Sequence, residues 1–114
     1  MGIRYEDVDS DIRRIYLSGR LDTVGSEQIS PQFAKLVDAA KAGVIVELSK
    51  VTFLSSMGIR ALIAGAKARR AKGGQMVLQV AENDIVERTL AATGVDELIP
   101  IFEDPDEAEE ALRS

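Results

Sequence analysis

The chain has 114 residues, 46% of them hydrophobic, a net charge of −5 at pH 7, and neither cysteine nor histidine. This length suits one ordinary domain, so we expect a single domain over residues 1–114, and the missing cysteines exclude disulfides and thiolate metal sites. The acidic balance argues against nucleic acid as the main partner, because binding to phosphates requires a surplus of lysine and arginine.

The first predicted elements form a hairpin. Residues 3–8 and 12–19 are rich in β-branched and aromatic residues, and the turn sequence DSD separates them, so they should pair as antiparallel strands. Residues 19–25, which lie between two glycines, are predicted to form a loop.

A helix is predicted next, because five apolar residues recur with helical spacing. They are Ile29, Phe33, Leu36, Val37 and Ala40. Since proline is tolerated only in a first helical turn, Pro31 predicts that Ser26 or Ser30 caps this helix. Gly43 is predicted to end it.

The rest of the chain alternates strands with helices. The predicted elements are a buried strand over 44–48, a helix over 57–72 stopped by Gly73 and Gly74, a strand over 75–80, a helix capped by Asn83 and ended by Gly94, a short strand near 98–102, and a final helix opened by Pro105. This order predicts an α/β fold. We expect a mostly parallel central sheet of about five strands with an antiparallel edge and four to five helices.

The segment FLSSMG, residues 53–58, stands between an apolar strand and a helix, where functional groups of open α/β sheets gather. Ser56 is predicted to be the N-cap of the helix, with Gly58 at the second helical position. A capping hydroxyl alone would contribute about 1 kcal/mol. Alternatively, a phosphate on Ser56 would place about −1.5 to −2 charges at the positive end of the helix. Both interpretations stay open on these residues alone.

Charge is also uneven along the chain. No acid occurs between Glu47 and Glu82, whereas six bases do: Lys50, Arg60, Lys67, Arg69, Arg70 and Lys72. Cations near a helix C-terminus suit its dipole, and this explains those from Lys67 onward. The alternative is a positive surface beside Ser56 that suits an acidic partner.

Catalysis is not indicated. Two adjacent serines without a base do not form a nucleophilic site, and neither a Walker loop nor a G-x-S-x-G elbow occurs. Gly73 and Gly74 follow a helix instead of opening one, so they indicate helix termination and not a phosphate loop. We therefore predict a protein that is not an enzyme and needs no cofactor. The charged N-terminus and the short apolar runs predict a cytoplasmic protein without direct membrane insertion.

Several segments together resemble the STAS domain family, specifically the bacterial anti-sigma factor antagonists. They are SGRLDT, VIVELSKVTFLSSMGIRALI, KGGQMVLQV and ERTLAATGVDELIPI, and the likeness runs from Ile12 to Phe102. The family pattern at the central turn is roughly Asp-Leu-Ser, a spacer, and Phe-Leu-Asp-Ser-Ser-Gly-Leu. Here Glu47 replaces the first Asp, Ser55 the second Asp, and Met57 the second Ser.

The resemblance implies partner switching. Ser56 matches the serine that a GHKL-type kinase, itself the anti-sigma factor, phosphorylates, and Gly58 matches the glycine of the motif. The unphosphorylated form would bind the anti-sigma factor, phosphorylation would release it, and a metal-dependent serine phosphatase would reset the switch. Further expected partner contacts are Asp22, Thr23, Ser55, Met57, Gly58 and Arg60, with Asp22 and Thr23 in a loop at the same end of the sheet. The alternative is a STAS scaffold or a small STAS subunit of a lipid-transport or signalling complex, in which Ser56 would be only a cap.

Overall fold

The computed structural model describes residues 2–40 and 42–113. In chain order the elements are β1 (Gly2–Asp7), β2 (Ile12–Leu21), α1 (Thr23–Ala39), β3 (Gly43–Leu54), α2 (Ser56–Ala71), β4 (Gln75–Gln79), α3 (Asp84–Thr93), a 3₁₀ turn (Val95–Glu97), β5 (Ile101–Phe102) and α4 (Pro105–Arg113). The predicted alternation of strands and helices is confirmed.

The five strands form one mixed sheet in the order β1-β2-β3-β4-β5. Strand β1 is antiparallel to β2, and every other neighbouring pair is parallel. The predicted antiparallel edge and parallel core are therefore confirmed. Strand β3 lies at the centre, and its run of β-branched residues is buried on both faces, as a central parallel strand requires.

The two faces of the sheet are covered unequally. Val44, Val46 and Leu48 of β3 belong to the larger core, which also contains the apolar faces of α1, α2 and α3. Ile45, between them, belongs to a smaller cluster on the opposite face, together with Ala108 of α4. Helices α1 and α2 thus lie side by side on one face, and the loops that precede them meet at one edge of the sheet.

Helix α1 begins earlier and ends earlier than predicted. Its N-cap is Asp22, not Ser26 or Ser30, and it ends at Ala39, whereas Gly43 is the first residue of β3. Pro31 lies inside the helix, where it cannot donate a hydrogen bond. The carbonyl of Glu27, four residues earlier, therefore has no helical donor, and Glu27 lies on the exposed side of the helix. Burial of the predicted apolar face offsets the rest of that cost.

The predicted loop over residues 19–25 is also wrong, and the predicted strand over 44–48 is too short. Strand β2 continues to Leu21 and β3 to Leu54, and the two pair through their ends. Register shifts near Ser18 and Arg20 interrupt the regular alternation of this stretch. Because the pattern is broken there, the apolar run that predicts the strand ends at Leu48, although β3 itself continues to Leu54.

The later boundaries agree more closely with prediction. Asn83 caps α3, Gly94 follows it in the left-handed conformation at φ 76°, and Pro105 begins α4, all as predicted. Gly73, just past α2, has φ 81°, which suits a helix terminator. The predicted strand over 98–102 is confirmed only at Ile101–Phe102, because the chain is still leaving the 3₁₀ turn at Leu98.

Candidate functional site

The ends of β2 and β3 bring two helix N-termini together. Leu21 and Leu54 are partners in the sheet, and the backbone N–H of Ser55 donates to the carbonyl of Leu21 over 2.9 Å. The next residues, Asp22 and Ser55, are the N-caps of α1 and α2. As predicted, the segment around Asp22 and the segment around Ser56 therefore lie at the same edge of the sheet.

The cap of α2 is Ser55, and the prediction that Ser56 is the cap is wrong. The Ser55 hydroxyl accepts a hydrogen bond from the backbone N–H of Gly58 over 3.3 Å. Strand β3 ends at Leu54, and Ser55 still has an extended backbone, so Ser56 is the first residue of the helix. Ser56 is exposed, and none of the described residues hydrogen-bonds its hydroxyl. Its hydroxyl is thus free of the structural role that the sequence had left as the main alternative.

Gly58 is buried and is the third helical residue, not the second. A Cβ at this position would lie 2.8 Å from Leu54 Cδ1 and 3.2 Å from the buried Ser26 hydroxyl. The missing side chain therefore lets α2 pack onto the core, and a partner contact of Gly58 stays a prediction. The glycine of the motif is explained by packing inside the molecule.

The other predicted contact residues surround Ser56. Asp22 is half-buried, accepts from the backbone N–H of Gly25 over 2.8 Å, and forms an ion pair with Arg20 at 3.6 Å. Thr23 is exposed but belongs to α1 and not to a loop. Met57 is half-buried and Arg60 is exposed, one turn along α2 from Ser56. Their role in partner binding stays a prediction.

Three further residues at this edge were not recognised from sequence. The guanidinium of Arg20 lies 4.7 Å from the ring centre of Phe53, its partner across β2 and β3. Phe53 is 39% exposed, and Val24, at the start of α1, is 64% exposed. The one available signal was an aromatic residue in the FLSSMG segment, two positions before the caps.

The electrostatics favour an added negative charge on Ser56. Helix α2 contains no acidic residue in its first turn, and its first backbone N–H groups lie at the positive end of the helix dipole.

The basic residues between Lys50 and Lys72 do not all lie on one surface, however. Arg69 is 2% exposed, and its guanidinium donates to the carbonyls of Val37 and Ala40 at the C-terminus of α1, over 2.7 and 2.6 Å. Arg69 therefore fits the interpretation in which a cation lies near a helix C-terminus, and not the one in which it forms a positive surface beside Ser56. The helix end that it contacts is that of α1.

The described part of the chain contains neither a metal-binding cluster nor a helix that could cross a membrane. Residues 2–40 and 42–113 contain no group of three or more acidic, histidine or cysteine side chains that could hold a metal ion. None of the helices over these same residues is sufficiently long and apolar to cross a membrane. The edge around Ser56 offers an accessible hydroxyl, an ion pair and exposed apolar side chains.

Known proteins resemble this chain in sequence and in fold. A protein of Bordetella bronchiseptica proposed to be the anti-sigma factor antagonist BtrV is 31% identical over 62 residues, which are 54% of this chain and 53% of that protein. The chain thus matches about half the length of this curated relative. An anti-sigma factor antagonist from Mycobacterium paratuberculosis has a similar structure, with a TM-score of 0.88 and 24% identity over 99% of this chain and 94% of the other.

A second solved structure is the Bacillus cell fate determinant SpoIIAA in its phosphorylated form. It superimposes with a TM-score of 0.69 and 19% identity over 96% of this chain and 98% of the other. The family model for the STAS domain matches residues 7–108, which contain strands β2 to β5 and helices α1 to α3. On this match, and with the fold that agrees with it, the chain belongs to the STAS domain family.

Proposed function

We propose that this chain is a cytoplasmic anti-sigma factor antagonist that acts by partner switching, with Ser56 as the phosphorylated residue. One observation carries the proposal: the Ser56 hydroxyl is exposed and unbonded as the first residue of α2. The neighbouring Ser55 performs the capping, so Ser56 is available for modification. The protein itself would be a binding module without catalytic activity, because none of the described residues hydrogen-bonds the Ser56 hydroxyl as an activating base would.

In the proposed cycle, the unphosphorylated edge binds an anti-sigma factor that is also a GHKL-type serine kinase. The kinase transfers the γ-phosphoryl group of ATP to Ser56 Oγ, the hydroxyl proton passes to a base of the kinase, and ADP leaves. A metal-dependent serine phosphatase hydrolyses the phosphate ester and restores the binding form. Sigma factor is free only while its anti-sigma factor is occupied.

The direction of the switch follows from charge. A phosphate adds about −1.5 to −2 charges to a surface that otherwise packs against the partner, and desolvating that charge costs affinity. The added charge does not unfold the domain, because the helix dipole and free N–H groups of α2 stabilise an anion there.

The relatives support this function. The names of the Bordetella and Mycobacterium proteins describe anti-sigma factor antagonists. The SpoIIAA structure shows that a protein of similar fold exists in a phosphorylated form. We extend both properties to this chain.

Binding to the host's serine-kinase anti-sigma factors, measured by calorimetry without ATP, tests the proposal. Ser56→Asp should weaken binding at least about tenfold, because it brings charge into the interface. Ser56→Ala should bind like the wild type. Ser10→Asp, an exposed serine in the β1–β2 turn, is the matched control for added charge and should also bind normally. Equal affinity of Ser56→Asp and the wild type would refute the switch.

A further inference from the structure

An apolar groove runs between the outer surfaces of α1 and α2, with a volume of about 670 Å³. We call it the α1–α2 groove. Its apolar lining includes Ala34, Val37, Met57, Ala61, Ala64 and Ala68. It opens beside the Ser56 edge, because Met57 follows Ser56 directly.

Small side chains create the groove. The two helices approach closely where Gly65 meets Phe33, since a Cβ at Gly65 would lie only 3.0 Å from Phe33 Cε2. Towards solvent, α2 presents Met57 and then alanines spaced three or four residues apart, so the walls are low. From Met57 to Ala68 the groove extends about 17 Å, the length of three helical turns.

Charge at the groove indicates what occupies it. Lys35 of α1 and Arg60 of α2 line it, and neither has an ion-pair partner among residues 2–40 and 42–113. The lining carboxylate, Asp38, is already paired with Lys72. A second copy docked groove to groove would bring two further unpaired cations into the same interface, which is unfavourable. An acidic partner has the complementary charge.

We propose that the α1–α2 groove receives an amphipathic helix of about three turns from the anti-sigma factor, with small apolar residues on its docking face and acidic residues along its flanks. This inference rests on the proposed function and specifies the partner's contacting element. It also explains how a phosphate on Ser56 releases the partner, because that charge would stand at the open end of the groove and repel the acidic flanks.

The first test fills the groove without adding charge. Ala64→Gln should weaken binding to the anti-sigma factor about tenfold or more, because the longer side chain occupies the space of the partner helix. Ala64 is exposed and both residues are good helix formers, so the fold should survive, which circular dichroism checks. Ala92→Gln, at an exposed alanine of α3, is the matched control and should bind normally.

The second test inverts charge. Lys35→Glu should weaken binding about threefold to tenfold, with the loss shrinking as salt is raised, because the interaction is screened. Arg88→Glu makes the same kind of change at an exposed residue of α3 that does not line the groove, and it should have no effect.

The third test identifies the occupant directly. The chain has no cysteine, so Ala64→Cys and the control Ala92→Cys can each carry a single photo-crosslinker. Crosslinking from position 64, but not from 92, to an acidic helical segment of the anti-sigma factor is the expected result.

The outcomes separate the two proposals. If Ser56→Asp weakens binding but Ala64→Gln and Lys35→Glu do not, the groove proposal is wrong and the proposed function stands. If no anti-sigma factor binds the wild type, both fall. If position 64 crosslinks to a second copy of this chain, and sedimentation shows that Ala64→Gln turns a dimer into a monomer, the occupant is a second copy and the inference is wrong.

Discussion

The backbone N–H of Ser55 donates a hydrogen bond to the carbonyl oxygen of Leu21, joining the start of α2 to the end of β2. This bond sets the two helix caps, Asp22 and Ser55, side by side at one edge of the sheet. It also assigns capping to Ser55 and leaves the next residue, Ser56, exposed. The proposed switch depends on these two separate roles, in which Ser55 caps the helix and Ser56 remains accessible.

Ser55→Ala should lower the free energy of unfolding by about 1 kcal/mol, because the backbone N–H of Gly58 loses its capping acceptor. Ser56→Ala, the matched control, should change it by less than about 0.5 kcal/mol. Urea denaturation followed by circular dichroism measures both. A larger loss for Ser56→Ala than for Ser55→Ala would mean that Ser56 caps the helix.

Gly58→Ala should destabilise the fold by about 1–3 kcal/mol, because its methyl group would meet Leu54 Cδ1 at 2.8 Å. Ordinarily, replacing glycine by alanine inside a helix stabilises it by up to about 1 kcal/mol. Ala64→Gly, at an exposed position of the same helix, reports that ordinary propensity. A stabilising effect of Gly58→Ala in urea denaturation would show that the packing there is loose.

Arg69→Met should lower the free energy of unfolding by about 2–4 kcal/mol, since it removes the donors to the Val37 and Ala40 carbonyls in a buried place. The exposed neighbour gives a control: Arg70→Met should have an effect below about 0.5 kcal/mol. Equal denaturation midpoints for the two variants would be inconsistent with a structural role for Arg69.

Glu87 should make stability depend on pH. Burial, the hydrogen bond with Glu103 and repulsion from Glu103 and Asp84 raise the pKa of Glu87 above its ordinary value of 4.5. The folded protein therefore keeps this proton to a higher pH than the unfolded chain does. The free energy of unfolding should fall as pH rises through 4.5 towards the raised pKa, and stay lowered above it.

Replacing Glu87 by Gln should remove that fall, so the variant should be more stable than the wild type at pH 7 and nearly equal to it well below pH 4.5. Urea midpoints across this range provide the measurement. Glu97→Gln, on the exposed 3₁₀ turn, is the control for loss of one acid. A destabilised Glu87→Gln at pH 7 would contradict the assigned direction.

Much of the fold was predictable because apolar periodicity and terminators report directly on local structure. The buried faces of α1 and α2, the cap at Asn83 and the stop at Gly94 all follow from sequence. The edge of the sheet around Asp22 and Ser56 was harder to predict from sequence. The shifted register between β2 and β3 breaks the alternating pattern there, so the sequence predicts a loop over residues 19–25, a central strand that ends at residue 48 and incorrect starts for α1 and α2.

Residues whose role depends on tertiary contacts were the least predictable. Arg69 falls on the buried face of α2, a position that helical spacing from Leu62 and Ala66 could have indicated, but its carbonyl partners belong to α1. The Arg20–Phe53 contact required the register between two strands. The α1–α2 groove exists only where two helices meet, so no single stretch of sequence predicts it.

The most direct test of the switch is the intact mass of the protein after incubation with Mg-ATP and the host's serine-kinase anti-sigma factors. The wild type and Ser55→Ala should each gain one phosphate, and Ser56→Ala should gain none. No phosphate with any of these kinases, or a phosphate that persists in Ser56→Ala, would contradict the assignment of Ser56 and favour a STAS scaffold or transport subunit.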